Sequence, residues 1–267
     1  MPGVSSVLAP VRIAVFAATG WEAGAVRAAF PDGMERAYDG HRVFVSRVGR
    51  EEFWLVRTGV GHKKALQAAS WLLQQRPFQL VVSTGFACAL VPATIGALLM
   101  GREVSLMSVS GPAPSRRLRS TEECQDSFGA FMTRQLPSTQ KGAFVSVDRI
   151  VVHATDKQQY ALTGAVGLDM ESAALAMVSE QAHVPFLIVR TVSDLLHEDL
   201  PLDFNLFLRP SGWVKGIRSI LMAPRSLCEL DRLRRQSRRA AAQLTRVFRA
   251  YVDAVMLETH PHRAARA

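Results

Sequence analysis

Short apolar runs alternate with helical segments through most of this 267-residue chain. Four of the runs are apolar and rich in β-branched residues, which is typical of buried strands: VRIAVFAA, QLVVSTGFACAL, AFVSVDRIVV and PFLIVRTVSD. Helical spacing is found between them in TGWEAGAVRAAF, HKKALQAASWLLQQ and MESAALAMVSEQA. This alternation predicts an α/β fold in which a central, mostly parallel (mixed) sheet carries helices on both faces. The polar stretch 111–120, GPAPSRRLRS, predicts a surface loop.

The length and the absence of repeats or a long linker predict one domain, spanning residues 1–256 and followed by a flexible tail, 257–267. No apolar run approaches the roughly 20 residues that cross a bilayer, and the run 11–18 lacks the length and basic leader of a secretory signal. We therefore expect a cytoplasmic protein. Its three cysteines are odd in number and widely spaced, which predicts free thiols and no metal site.

The net charge of +9 is concentrated near the C-terminus, where residues 225–249 contain eight arginines. Leucines and other apolar residues recur there at intervals of three and four, so 225–256 is predicted to be a basic amphipathic helix. A docked helix with a solvated basic side is the simplest interpretation. Contact with an anionic membrane surface is the second. Nucleic acid is not expected as a partner, because no aromatic residues or known binding motif accompany the arginines.

Polar residues follow several of the predicted strands. They include the turns TGVG (58–61) and TGFA (84–87), Asp148, and the pair Ser193 and Asp194. Ligands of open α/β sheets bind beyond the carboxyl ends of the strands, and glycines there let amide N–H groups approach a ligand. Ordinary turn chemistry explains the two glycine turns equally well.

Two carboxylates at the edges of apolar runs are candidates for a site. Glu171 begins a predicted helix, where the helix dipole favours an acid whether or not it has a function. Asp194 directly follows a buried strand, where a partly desolvated carboxyl group could hold or donate a proton. A turn or helix cap is the alternative for Asp194.

The motifs occur together in a recognisable order. From Arg12 to Asp194 they are RIAVFAATGWEA, TGVGHKKA, VVSTGFACAL, DMESAALA and VPFLIVRTVSD. In this order and spacing they resemble the superfamily of purine nucleoside phosphorylases and methylthioadenosine/adenosylhomocysteine nucleosidases. Residues 197–233 are most similar to its hopanoid-associated phosphorylase subgroup, which is thought to act on adenosylhopane.

The resemblance implies a nucleoside phosphorylase-like fold and cleavage of the N-glycosidic bond of an adenine-containing nucleoside. By that correspondence Asp194 would protonate or hydrogen-bond N7 of the purine, oriented by Ser193. Glu171 would accept hydrogen bonds from the ribose hydroxyls. The other substrate contacts, to sugar, base and the side of the nucleophile, would come from Met170, Val151, Gly85, Phe86 and Ala87.

The nucleophile stays open in the sequence. Hydrolytic relatives activate water with a carboxylate at the position of Glu22, whereas phosphorolytic relatives bind phosphate there, for which Thr19 and Gly20 are available. Phe86 and Cys88 depart from the pattern of the phosphate site. The subgroup resemblance nevertheless favours phosphorolysis with phosphate as co-substrate, and hydrolysis is the alternative.

The resemblance also implies that no organic cofactor or metal is needed and that the protein is a homo-oligomer. Phe86 and the apolar C-terminal segment suit a lipid-linked nucleoside, which would bring the protein into peripheral contact with a membrane. A non-catalytic nucleoside-binding protein is a further alternative. The presence of both Glu171 and Asp194 argues against it.

Overall fold

The computed structural model describes residues 10–30, 32–107, 114–120, 127–200 and 225–259. In these ranges the strands are β1 (Val11–Ala17), β2 (Met34–Tyr38), β3 (His41–Val48), β4 (Glu51–Arg57), β5 (Leu80–Ala89), β6 (Leu98–Gly101), β7 (Glu103–Met107), β8 (Pro114–Arg119), β9 (Gln140–Lys141), β10 (Phe144–Val147), β11 (Gly167–Asp169) and β12 (Phe186–Asp194). The helices are α1 (Gly20–Arg27), α2 (His62–Gln75), α3 (Ser127–Gln135), α4 (Ala154–Ala161), α5 (Ser172–Gln181) and α6 (Arg225–Thr259).

The strands form one mixed sheet in the order β2-β3-β4-β1-β5-β11-β10-β7-β8, with β12 pairing to β5 and β6, and β9 to β6. At its centre β1 runs parallel to β4 and β5, and β12 runs parallel to β5. The hairpins β2-β3-β4 and β7-β8 are antiparallel. The predicted α/β fold with a mixed, mostly parallel sheet is confirmed.

Helices cover both faces of the sheet, as the sequence predicts. Strand β1 shows the arrangement, because its side chains alternate between two apolar clusters, one on each face of the sheet. Ala14 and Phe16 belong to the first cluster, and Ile13 and Val15 belong to the second. The first cluster includes residues of α2 and α5, and the second includes residues of α1, α3 and α6. A strand buried on both faces has no polar alternation, which accounts for the continuous apolar run in the sequence.

Helix α6 is docked on the second cluster. Leu244, Val247, Phe248 and Tyr251 are almost completely buried, and the Phe248 ring stacks on Phe128 with ring centroids 5.1 Å apart. Among the side chains of this helix that the structure describes, residues 231–258, six arginines on the opposite side are exposed: Arg232, Arg234, Arg235, Arg238, Arg239 and Arg246. The structure thus has the docked helix with a basic outer side that the sequence favoured.

Two predicted boundaries differ in the structure. Helix α6 continues to Thr259, so the first three residues of the predicted tail, 257–259, are helical. Residues 260–267 lie outside the described residues. The predicted surface loop 111–120 is wrong in its second half, because β8 pairs antiparallel with β7 and buries Leu118. Residues 111–113 are not described.

Two further observations bear on the expectations above. None of the described helices is both long enough and apolar enough to cross a membrane.

Cys88 is a buried free thiol, whereas Cys124 and the side chain of Cys228 fall outside the described part of the chain.

Candidate active site

A pocket of about 250 Å³ lies at the carboxyl ends of the central strands. Most of the side chains selected from the sequence line it: Thr19, Glu22, Phe86, Ala87, Val151, Met170, Glu171, Ser193 and Asp194. Gly20 and Gly85 lie next to the lining residues in the chain without being among them. The rest of the lining includes Ala18, Val60, Cys88, Arg149, Ile150, Leu168, Asp169 and Leu200.

Glu22 is a buried carboxylate that points from the first turn of α1 towards β5. Its Oε1 accepts a hydrogen bond of 2.7 Å from the backbone N–H of Phe86. Its Oε2 accepts from both the backbone N–H and the hydroxyl of Thr19, each at 2.7 Å. The Thr19 hydroxyl also accepts from the N–H of Glu22, which completes a capping box at the start of α1. The side chain is therefore fixed on both of its oxygens.

Gly85 makes the position of Glu22 possible. Its φ of +137° lies in the region that favours glycine. A Cβ built there would lie 2.2 Å from Oε1 of Glu22 and 2.8 Å from Nη1 of Arg190. The glycine in TGFA is thus required by the close approach of two charged side chains to the backbone.

Glu171 is the second buried carboxylate in the pocket. Its side chain does not cap α5; instead, Oε1 accepts a hydrogen bond of 2.8 Å from the backbone N–H of Gly61. Burial raises the pKa of Glu171 to about 7, and the carboxylates of Asp169 and Glu22 add to the rise, while Arg190 opposes it. The two glycine turns therefore have the same function: each gives a backbone amide to a pocket carboxylate, TGVG to Glu171 and TGFA to Glu22.

Arg190 lies behind the pocket wall and forms a buried ion pair with Asp169, which lines the pocket. The Arg190 Nη2 lies 2.8 Å from Oδ2 of Asp169 and 3.8 Å from Oε2 of Glu171. Burial opposes the charge of Arg190, but Asp169, Glu171 and Glu22 outweigh it and raise its pKa. Asp169 also accepts from the backbone N–H groups of Glu171 and Ser172, so it holds the start of α5 in place.

Asp194 ends β12 and enters the pocket beside Ser193. Consecutive strand residues normally face opposite sides of a sheet, but the register against β5 shifts between Val192 and Asp194, and both side chains line the pocket. Oδ1 of Asp194 accepts from the Ser193 hydroxyl at 2.9 Å, and Oδ2 accepts from Nζ of Lys157 at 2.8 Å. Each oxygen of the Asp194 carboxyl group therefore has a side-chain donor, Ser193 for one and Lys157 for the other.

Cys88 lies beside this carboxyl group. Burial raises the pKa of its thiol well above the ordinary value, and the negative charge of Asp194 adds to the rise. The thiol is therefore neutral at physiological pH, which makes it an uncharged part of the pocket wall rather than a nucleophile.

Three of these charged side chains were not selected as site residues from the sequence. Arg190 had a signal, because a cation in the middle of the apolar run PFLIVRTVSD needs a buried anion. Asp169 is two residues before Glu171, but nothing in the sequence distinguishes a carboxylate that caps a helix from one that binds a substrate. Lys157 occurs in the polar segment HATDKQQYA, which predicts a solvated helix and gives no sign that the lysine is buried.

The contacts of Gly20 and the composition of the site limit which ligands it can hold. A Cβ on Gly20 would lie 3.6 Å from Nη1 of Arg57, so a cation stands beside the start of α1. Among the described residues, no three His, Cys, Asp or Glu side chains are grouped so that they could hold a metal ion. The pocket is lined by four carboxyl side chains, and the backbone amides of Gly61 and Phe86 already bind two of them.

Comparison with known proteins identifies a family whose sequence model matches most of the chain. The sequence model described as the phosphorylase superfamily matches residues 12–209. A 5′-methylthioadenosine/S-adenosylhomocysteine nucleosidase of Staphylococcus haemolyticus is 25% identical over 182 residues, which are 62% of this chain and 79% of that protein.

Two solved structures share the fold. The S-adenosylhomocysteine nucleosidase of Streptococcus pyogenes has a TM-score of 0.64 at 18% identity and covers 91% of this chain and 98% of its own. A futalosine hydrolase mutant of Helicobacter pylori has a TM-score of 0.65 at 16% identity, with coverage of 91% and 99%.

Proposed function

The chain belongs to the phosphorylase superfamily, and from that premise we propose that it hydrolyses the N-glycosidic bond of an adenine-containing nucleoside. The observation that carries the choice of water over phosphate is the position of Glu22. The sequence alone favoured phosphorolysis; the geometry and the named relatives give better support to hydrolysis.

Glu22 occupies the donors that a phosphate would need. The N–H and hydroxyl of Thr19 and the N–H of Phe86 are donors at this end of the pocket, and all three bond to the Glu22 carboxylate. An entering phosphate would lose these donors and meet a negative charge in a buried site, where like charges repel strongly. A water molecule meets no such obstacle.

Glu22 is equipped to act on water. A carboxylate has about four lone-pair positions, and three of them are used by Thr19 and Phe86. The fourth can accept a hydrogen bond from a water molecule and then its proton as the oxygen attacks C1′ of the ribose.

The other two carboxyl groups have complementary roles. Glu171 accepts hydrogen bonds from the ribose hydroxyls, and Asp194 donates a proton to N7 so that adenine leaves as a neutral base. Met170 and Val151 pack on the sugar and the base. Phe86 and Ala87 border the sugar on the side of the nucleophile.

The named relatives support hydrolysis independently. The curated relative and the two structures are named as nucleosidases or as a hydrolase. The substrates in these three names differ, so the names do not determine which group the nucleoside carries on its 5′ carbon. Phosphorolysis is the second candidate, because the Arg57 guanidinium beside Gly20 would favour an anion at the start of α1.

Several finer assignments remain part of this proposal. A long apolar 5′ group, as in adenosylhopane, would suit the apolar lining given by Val60, Ile150 and Leu200. The exposed arginines of α6 would then favour an anionic membrane surface. A cytoplasmic homo-oligomer is the expected form of the protein.

The decisive experiment is adenine release from 5′-substituted adenosines, short and long, with and without phosphate. We expect release that phosphate does not accelerate and that Glu22→Gln lowers by about 100-fold, the usual contribution of a general base. Glu35→Gln, which alters an exposed carboxylate paired with Arg27 and Arg42, is the control and should keep full activity. Strict dependence on phosphate would establish phosphorolysis instead, and binding of adenosine without turnover would establish a binding protein.

A further inference from the structure

Lys157 is a buried ammonium group that no function described so far requires. It lies in α4, its side chain is 0% exposed, and it is 37 residues from Asp194 in the sequence. Its Nζ donates to Oδ2 of Asp194 at 2.8 Å, to the Glu198 carbonyl at 2.8 Å and to the Leu195 carbonyl at 3.4 Å. An ammonium has three N–H groups, and each has an acceptor here.

The contacts of Lys157 fix its charge next to the catalytic carboxyl group. Taking an ammonium out of water costs several kcal/mol unless nearby acceptors or an anion offset the loss. Two backbone carbonyls and the Asp194 carboxyl group contact Nζ, so the ammonium is stabilised most when Asp194 has given up its proton and is a carboxylate. A lysine in a helix usually extends its four-carbon side chain so that the ammonium group reaches solvent. Lys157 does not, because its ammonium group is directed at Asp194.

The segment that follows β12 is held from two sides. Lys157 binds the carbonyl of Glu198, and the Glu198 carboxylate accepts from Nε2 of Gln236 at 3.1 Å. Gln236 belongs to α6, so residues 195–198 lie between α4 and the C-terminal helix. This fixes Nζ of Lys157 relative to Asp194, while Ser193 fixes the other carboxylate oxygen.

We propose that Lys157 is a positioning residue that acts through Asp194, keeping its carboxyl group aimed at the leaving base and stabilising the carboxylate formed when the proton is given away. The inference rests on the proposed hydrolysis. As the C1′–N9 bond breaks, its electron pair goes to the base and the Asp194 proton bonds to N7. Water adds to C1′ and gives its proton to Glu22, which releases it to solvent. Asp194 takes a proton from solvent for the next cycle, and Lys157 takes no part in the proton transfer.

A purely structural function is the alternative to exclude, and the leaving group separates the two. Adenine must be protonated to leave, whereas 4-nitrophenolate leaves as a stable anion. A residue that acts through Asp194 affects an adenine nucleoside much more than 4-nitrophenyl β-D-ribofuranoside. A residue that only maintains the pocket affects both substrates equally.

The experiment compares kcat and KM for both substrates in the wild type, Lys157→Met, Lys157→Arg and Asp194→Asn. Lys157→Met should lower kcat for the nucleoside by about 100-fold, a typical contribution of general acid catalysis, with less than about fivefold loss on the nitrophenyl riboside. Lys157→Arg, which keeps the charge, should recover most of the loss. Lys157→Met added to Asp194→Asn should cause little further loss, because both act on one step. Lys141→Met, at an exposed lysine, should resemble the wild type.

Equal losses on both substrates, or additive losses in the double variant, would overturn the proposal. If Lys157→Met does not fold, Lys157→Arg and Lys157→Gln are measured in the same way. A wild type that cleaves neither compound would contradict the proposed function. In that case adenine binding by calorimetry still tests Lys157: weakening by at least about tenfold in both Lys157→Met and Asp194→Asn would support positioning, and unchanged binding in Lys157→Met would overturn it.

Discussion

The Arg190 guanidinium lies 2.8 Å from the Asp169 carboxylate, and both side chains are about 1% exposed. Glu171 is 3.8 Å from the same nitrogen, and Glu22 also contributes to the charge that Arg190 meets. One buried cation therefore balances three carboxylates that line the pocket, and two of them, Glu171 and Glu22, are proposed to bind the ribose and the water. The stability of the fold and the charge of the site depend on the same residue.

Replacement of Arg190 by methionine tests this dependence. It leaves Asp169 and Glu171 buried without their cation, so we expect a loss of about 3–5 kcal/mol in the free energy of unfolding, measured by urea denaturation. Arg42→Met is the control, because Arg42 is 83% exposed and its contact with Glu35 is at the surface; its loss should stay within about 1 kcal/mol. Similar losses in the two variants would mean that the buried ion pair contributes no more to the free energy of unfolding than a surface pair does.

Much of this arrangement follows from the sequence, and the remainder has a physical reason for being missed. The apolar runs 11–18 and 185–194 predict central strands correctly, because a strand buried on both faces has few polar residues. Asp194 is a candidate in the sequence because it follows a buried strand, and the carboxyl ends of parallel strands meet at one edge of the sheet. Glu22 is a candidate only through the family resemblance. Lys157 was missed because its burial depends on α4 packing over Asp194, a contact between distant segments that local composition does not contain.

The two glycine turns illustrate the same limit more precisely. The sequence indicates that the backbone amides of these turns lie near a ligand. It does not show that Glu22 and Glu171 accept hydrogen bonds from the amides of Phe86 and Gly61. The choice between water and phosphate depends on that detail.

The raised pKa of Glu171 predicts how stability changes with pH. Between its ordinary pKa of 4.5 and the raised value of about 7, the folded protein holds a proton that the unfolded chain has lost. Stability from this group is therefore fully present below about pH 4.5 and falls as the pH rises to about 7, by no more than about 3 kcal/mol. Glu171→Gln removes the titrating group, so the difference in melting temperature between variant and wild type should grow in favour of the variant across this range. A difference that does not change with pH would contradict the raised pKa.

Gly85 predicts how precisely Glu22 must be placed. In Gly85→Ala the new Cβ would lie 2.2 Å from Oε1 of Glu22, so the carboxylate must move. We expect adenine release to fall by about 100-fold, the scale of loss when a reacting group is displaced by about 1 Å. Gly40→Ala is the matched control: its φ of +79° is also in the left-handed region, but nothing lies within 4 Å of its Cβ. It should show backbone strain in its melting temperature and unchanged kcat, and equal losses of kcat in both variants would exclude the displacement of Glu22.

Phe248 tests whether α6 is part of the domain rather than an appendage. Its side chain is fully buried, stacks on Phe128 and lies 6.2 Å from the Phe30 ring, so it joins α6 to both α3 and the residues that follow α1. Phe248→Ala should lower the free energy of unfolding by about 3–5 kcal/mol, because the loss of contacts and the cavity add together. Leu257→Ala, at a side chain that is 54% exposed on the same helix, should change it by less than about 0.5 kcal/mol. A single cooperative transition in both variants, with the large loss in Phe248→Ala alone, is the result expected of one domain. If Phe248→Ala instead left the main transition unchanged and produced a separate early one, α6 would be a unit that unfolds on its own.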